Sequence, residues 1–184
     1  MYAPIDTNNP FQGDILASFP FIALPQGEEP KIVRTDPTGN LIIRDLSETH
    51  NPYQNGKELL VVNSFVTKAI IISQTCDAQR RDYVHVCPVF PISSINAQAT
   101  ESNWDTNRLA NYIADIRNNK KNYFFHLPEA ILNDERMEES YIDLQVVNIL
   151  PRLNLGQYVR VVTLTDLGRH RLAYKLLNFY GRPI

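Results

Sequence analysis

Cysteine is nearly missing from this chain: two in 184 residues. That is too few for a disulfide framework to carry the fold, and it fits a protein kept in a reducing compartment. Long apolar runs are missing as well. None approaches the ~20 residues that cross a bilayer as a helix. The opening MYAPIDTNNPFQGD has neither the basic start nor the apolar stretch of a secretory signal. A cytoplasmic location without membrane attachment is therefore expected. Charge of one sign is also lacking, since 18 Lys+Arg stand against 20 Asp+Glu for a net −2. This excludes a bulk polycation and a long disordered acidic tail. No internal repeat, Gly-rich phosphate loop, nucleophile elbow or His-Glu-x-x-His motif occurs.

What remains is an ordinary globular composition, 43% hydrophobic, in a length suited to a single domain over 1–184. Twelve prolines punctuate short strands and turns. Residues 13–24 (GDILASFPFIAL) read as a strand that Pro20 turns into an edge or a bend. Residues 25–58 read as an irregular excursion with short strands at 31–34 and 40–46, and a Pro/Gly turn at 36–40. The runs 59–65 and 68–74 are continuous and β-branched, as expected of buried central strands, with Ile70, Ile71 and Ile72 all covered. Residues 83–89 alternate, Tyr83, His85 and Cys87 against Val84 and Val86.

The period then changes. Leu109, Tyr112, Ile113 and Ile116 mark one face of a helix within 101–119, capped by Ser102 or Asp105. A strand is expected at 122–127, a helical turn at 128–132, a strand through Ile142, Leu144 and Val146, and another at 157–164. A terminal amphipathic helix starts at Thr165 or Asp166, with Leu172, Ala173, Leu176, Leu177 and Tyr180 on one face and Gly181 as its stop. The fold class is α+β around a small, twisted antiparallel sheet or barrel.

Three stretches resemble a known family. Gln12-Gly13-Asp14-Ile15 resembles the GDI(V/L) start of the MazF/PemK/Kid-type toxins. Ala69-Ile70-Ile71-Ile72-Ser73 is similar to the strand that reads RPALVLS there, and residues 83–89, ending in Pro88-Val89, are similar to the strand finishing in VPITS. The resemblance spans roughly 12–94. It implies an SH3-like small antiparallel β-barrel at 12–95, elaborated over 96–184 by helices that include the C-terminal amphipathic one. It also implies a homodimer, and the Leu172, Leu176, Phe179, Tyr180 stripe, larger than one small sheet covers, makes the terminal helix the element expected to extend the interface. For activity it implies an endoribonuclease. The family's arginine falls on Thr67 with Lys68 beside it, and the threonine of its third landmark falls on Phe90 unless the match slips to residues 91–94. An enzyme of this type would therefore relocate its catalytic groups. Ser73-Gln74-Thr75-Cys76-Asp77 is further similar to a group of uncharacterised phage- and defence-associated bacterial proteins.

The densest polar stretch is 73–82, between two buried strands, and loops on a rigid scaffold are where function is presented. Asp77, Asp14, Arg80 and Arg81 are the candidate catalytic residues. Gln12, Lys68, Ser73, Gln74, Thr75 and Cys76 are the candidate binding residues. The plain alternative is a hairpin loop in which Asp77 caps backbone N–H groups and the arginines are solvated. Cys76 as a nucleophile needs a base from His85, His126 or His170. A zinc site from Cys76, Cys87, His85 and His126 has the wrong spacing, so neither metal nor cofactor is expected. Charge segregates near the end: 128–145 holds six acids and one base, 152–184 six bases and one acid. Either these segments pair with each other, or the helix is simply a solvated face packed by its apolar stripe, or the basic helix with Tyr174, Phe179 and Tyr180 contacts RNA or DNA. The functional reading is an accessory protein of a toxin–antitoxin or phage-defence system that binds nucleic acid or a protein partner. The alternative is a metal-independent endoribonuclease.

Overall fold

The computed structural model describes residues 1–6, 9–23, 31–35, 41–45, 59–61, 63–132 and 135–181. The chain divides into two compact units, Met1–Phe19 with Thr67–Ile184, and Pro20–Val66. In the second, β3 (Lys31–Thr35) lies between β4 (Leu41–Asp45) and β5 (Leu59–Val61) in an antiparallel sheet, and Phe21 stacks on Phe65 at 5.5 Å. The turn expected at 36–40 lies outside the described residues.

The larger unit is organised by an eight-stranded sheet. Its strands are β1 (Tyr2–Ala3), β2 (Ile15–Ala23), β6 (Asn63–Ile71), β7 (Tyr83–Pro91), β8 (Phe124–Leu127), β11 (Ser140–Asp143), β12 (Asn148–Pro151) and β13 (Arg160–Leu164). They run in the order β1-β13-β2-β6-β7-β11-β8, with β12 also on β7, and every pair whose register is described is antiparallel. The protein is thus α+β with a mostly antiparallel sheet. Among the described residues the path is open, with β1 at one edge and β8 at the other, and no strand closes it into a barrel. Segment 96–184 supplies β8, β11, β12 and β13, so it builds the main sheet rather than decorating it.

Two prolines show how sequence and pairing agree. Pro20 lies beyond the point where β13 pairs with β2, at Ile15 and Leu16, so its missing N–H costs no bond on that side. Pro88 falls in the gap along β7 between β11, which pairs with residues 89–91, and β12, which pairs with 83–86. Ile70 and Ile71 are wholly buried, but Ile72 only partly. The expected strand break near residue 66 is absent: β6 runs through it and ends at Ile71.

Several expected elements are different. Residues 75–80 form a short helix, α1 (Thr75–Arg80), rather than a loop, and Ala78 anchors it. Asp77 caps no backbone N–H there; its carboxylate accepts from Arg81 Nε at 3.4 Å. The helix expected over 101–119 is α3 (Thr106–Arg117), which Asp105 caps by accepting from Arg108 N at 2.7 Å, and a further helix that the sequence did not suggest, α2 (Ser94–Glu101), precedes it. Residues 130–132 form a strand, β9 (Ala130–Leu132), paired with β10 (Glu135–Met137), not a helical turn. The strand through 142–146 breaks at Leu144, where Asp143 accepts from Gln145 N at 2.9 Å and turns the chain. Residues 152–157 are a 3-10 helix, so the next strand starts only at Arg160.

The terminal helix forms as the periodicity dictates: α4 (Asp166–Tyr180), with Thr165 accepting from Gly168 N at 3.2 Å. Leu172 is wholly buried, and Leu176 and Phe179 pack on the same core as Ile15, Ile70 and Val89. The stripe offered to a second copy is thus largely used inside one chain; Leu177 and Tyr180 stay 67% and 53% exposed. The α3 face, Leu109, Tyr112, Ile113 and Ile116, covers a second cluster with Ile92, Ile95, Phe124 and Tyr141. Among the described residues no helix is long and apolar enough to cross a membrane.

Candidate functional site

The start of β2 and the end of β6 are tied by Gly13 N to Ile71 O (2.8 Å) and Ile71 N to Asp14 O (2.9 Å). Gly13 alone fits this junction, because its φ is +93° and a Cβ would stand 2.9 Å from the Leu164 Cβ. The junction brings Gln12 to the polar stretch: Gln12 N donates to Thr75 Oγ1 at 3.3 Å, and Gln12 Nε2 to Ile72 O at 2.8 Å. Ser73 Oγ accepts from His85 N at 2.8 Å and lies 3.4 Å from His85 Nδ1. Gln12, Ser73, Gln74 and Thr75 are therefore one neighbourhood, and His85 joins them from β7.

The candidate catalytic residues are held differently. Asp14 is buried, and its carboxylate accepts from Phe11 N and Arg160 Nη1, each at 3.0 Å. Asp77 and Arg81 form an exposed pair one helical turn apart, of a kind worth ~0.2–1 kcal/mol. Arg80 is exposed and Lys68 half-buried. No hydrogen bond or ion pair among the described residues joins Asp14 to Asp77, and neither lines the two cavities described next. Thr67, at the position of the family's arginine, donates its hydroxyl to Val89 O at 2.7 Å. Cys76 is exposed; Cys87 is buried, and burial pushes its thiol well above the usual range. No cluster of three or more His, Cys, Asp or Glu suited to a metal occurs among the described residues.

Both cavities use α4 as a wall. The first, about 470 Å³, lies between Gln12, Ile72, Gln74 and His85 on one side and Val147, Ala173, Leu176, Leu177 and Tyr180 on the other. The second, about 790 Å³, is lined by Arg117, Asn119, Asn122, His126, His170, Arg171, Tyr174, Lys175 and Asn178, with Met1, Phe125 and Pro128 as its apolar part. Residues 170, 171, 174, 175 and 178 recur at one- and four-residue spacing, so a single edge of α4 presents them. Lys175 bridges this edge to the chain after α3, donating to Asn119 O at 2.9 Å and Lys121 O at 2.7 Å, and burial lowers its pKa.

Glu139 organises the far side. Arg117 donates to both its oxygens at 2.7 Å, and His126 Nε2 lies 2.9 Å from Oε1. The Arg117 bonds, opposed by burial and aided by His126, hold this carboxyl down from the ordinary 4.5 to about 2. It is therefore a permanent anion that orients His126, and cannot serve as a general acid near neutral pH. Its contribution to stability should be complete above about pH 5 and disappear as pH falls from 4.5 toward 2, because protonation is harder in the folded state. Urea unfolding of wild type and Glu139→Gln should therefore differ at pH 7 and converge by about pH 2. A difference that persists unchanged at pH 2 would rule the linkage out.

No family model and no curated protein matches this chain. The expected pairing of the acidic and basic segments does not occur at the ion pairs described: Glu139 and Glu129 bind Arg117 and Arg136, while Arg160 and Arg169 bind Asp14 and Asp166. Arg171 makes no ion pair or hydrogen bond among the described residues, and Tyr174 stays 68% exposed beside it. The sequence marked 152–184 as basic, with Tyr174 among the aromatics of its helix, but did not set Arg171 and Lys175 apart from the other bases; Arg117 carried no sign of belonging with them, since three separate elements supply the cleft.

Proposed function

We propose that this protein binds single-stranded nucleic acid in the cleft beneath α4, as an accessory protein of a toxin–antitoxin or phage-defence system. The observation that carries this is the lining itself. Arg171, Lys175 and two histidines meet around an exposed tyrosine, with Arg117 beside them already paired to Glu139, in a chain whose net charge is −2. Cations neutralise phosphates and an aromatic ring stacks on bases without regard to sequence. An SH3-like, PemK/MazF-related core belongs to the same proposal. It is supported by the adjacency of the three landmarks, which fall on the neighbouring strands β2, β6 and β7.

Fluorescence anisotropy with a labelled single-stranded RNA, titrated at several salt concentrations, tests the reading. Arg171→Glu should weaken binding at least tenfold, and Arg171→Ala should reduce the salt slope by ~0.7, one phosphate's worth for a single strand. Wild type that fails to bind at 50 mM salt, or an Arg171→Glu that binds as wild type does, would overturn it.

A second reading, metal-independent RNA cleavage, rests on His126 and His170 lining one cleft. One would take the 2′-hydroxyl proton and the other return a proton to the leaving 5′-oxygen, while Arg171 and Lys175 stabilise the charge on phosphorus. RNA that stays intact in the presence of the protein would leave binding alone.

A further inference from the structure

The 470 Å³ cavity on the other side of α4 has a chemistry of its own. Its volume lies in the range of small-molecule sites. Ile72, Val147, Ala173, Leu176 and Leu177 make it mainly apolar, and Tyr180 holds one side with its hydroxyl fixed on Leu144 O at 2.6 Å. No cation or carboxylate lines it, so an anion or an ammonium group has no partner there.

Three polar groups converge on it, and their hydrogen-bond roles follow from the neighbours. Gln12 is only 7% exposed and spends an amide proton on Ile72 O, which fixes its amide orientation and leaves Oε1 as an acceptor. Ser73 Oγ accepts the His85 backbone N–H and lies 3.4 Å from His85 Nδ1; in the tautomer in which Ser73 donates to Nδ1, Nε2–H is left as a donor. Gln74 adds an amide that offers either role. A purely aliphatic ligand would leave the Gln12 acceptor and the His85 donor unpaired. A flat heterocycle with donors and acceptors along one edge and apolar faces satisfies both requirements.

We propose that this cavity takes one unpaired nucleobase, its edge read by Gln12, Gln74 and His85 and its face covered by Tyr180 and Leu177. The proposal deepens the nucleic-acid reading and rests on it for the source of the base: a strand whose phosphates lie in the basic cleft shares the α4 wall with this pocket. A free nucleoside offers the same chemistry, and the experiment separates the two sources.

Anisotropy compares a base-bearing single-stranded oligonucleotide with an abasic one of equal length, and thermal shift measures adenosine, cytidine, guanosine and uridine. Wild type should bind the base-bearing strand at least tenfold tighter. Ala173→Phe, which fills the pocket, should cut that preference severalfold, leaving only what stacking on Tyr174 in the cleft contributes, while abasic binding persists. Gln74→Ala, at a position that is not part of the buried core, should reduce it without loss of fold. Arg171→Glu should weaken both strands equally and keep the ratio. Equal binding of both strands by wild type, or a ratio that survives both pocket variants, overturns the base pocket even if the basic cleft binds. If neither strand binds but a nucleoside stabilises wild type and not Gln74→Ala, the pocket stands with free nucleosides as its source and the cleft reading fails. No response to any strand or nucleoside overturns both.

Discussion

Arg160→Met is expected to cost ~3–5 kcal/mol, the penalty for leaving one half of a buried ion pair uncompensated. The Asp14 side chain is 1% exposed and that of Arg160 15%, and the two meet at 3.0 Å. Asp14 sits between Gly13 and Ile15, at the junction where β2, β6 and β13 are tied together, so it cannot move to find water. Removing the guanidinium would strand a carboxylate whose one remaining described donor is Phe11 N. Asp14→Asn combined with Arg160→Met should recover much of the loss, because the amide oxygen still accepts from Phe11 without carrying charge. Urea midpoints for the two single variants and the double variant measure this. A single-variant loss below ~1 kcal/mol would mean that the pair is solvated after all.

Ile71→Ala should cost ~2–5 kcal/mol, against a total stability of ~5–15 kcal/mol for a domain. Ile71 is wholly buried, pairs with Val86 in the middle of the sheet, and exchanges backbone bonds with Gly13 and Asp14. A truncated side chain there leaves a cavity that close-packed neighbours cannot fill. Ile72→Ala supplies the internal comparison: Ile72 already faces the 470 Å³ cavity, so it should lose clearly less. Equal losses at the two positions would contradict the difference in burial.

Periodicity carried the sequence reading where it was strong. The α3 and α4 stripes and the run through Ile70 and Ile71 were legible because each repeats over several turns or a whole strand. It misled where few residues decide. α2 has only Ile95 and Ala99 buried, too thin a stripe to detect. α1 is six residues of polar sequence whose helical bonds, Ala78 N to Gln74 O and Arg81 N to Asp77 O, leave no pattern. Residues 130–132 have good helix formers after a proline, yet pairing with β10 overrides that preference. The alternation of Ile142, Leu144 and Val146 continues across a turn that Asp143 makes through its own side chain. For the site, Gln12, Gln74 and the 73–75 neighbourhood were legible as a polar stretch beside a buried strand. His85 was legible as a candidate base for Cys76 and as a strand-face residue beside Cys87, not as a partner of Gln12 and Gln74. The basic cleft was half legible: α4 shows its cations in sequence, but Arg117 and His126 join it through Glu139, twenty-two and thirteen residues away.

The gap at Pro88 has a bearing on synthesis. Along one side β7 is served by two strands, β11 and β12, whose residues come 49 to 68 positions later in the chain at the paired sites Ser140↔Pro91 and Pro151↔Tyr83. A nascent chain can therefore lay β6 against β7 early, but the opposite edge of β7 stays bare until residues 140–151 have left the ribosome. During that interval Val84, Val86 and Val89 stand beside an unpaired strand edge, the kind of surface that templates association with another chain. Translation that stalls between α3 and β11 would lengthen the exposure, and a proline at the centre of that edge removes one backbone donor from it just where a foreign strand would seek pairing.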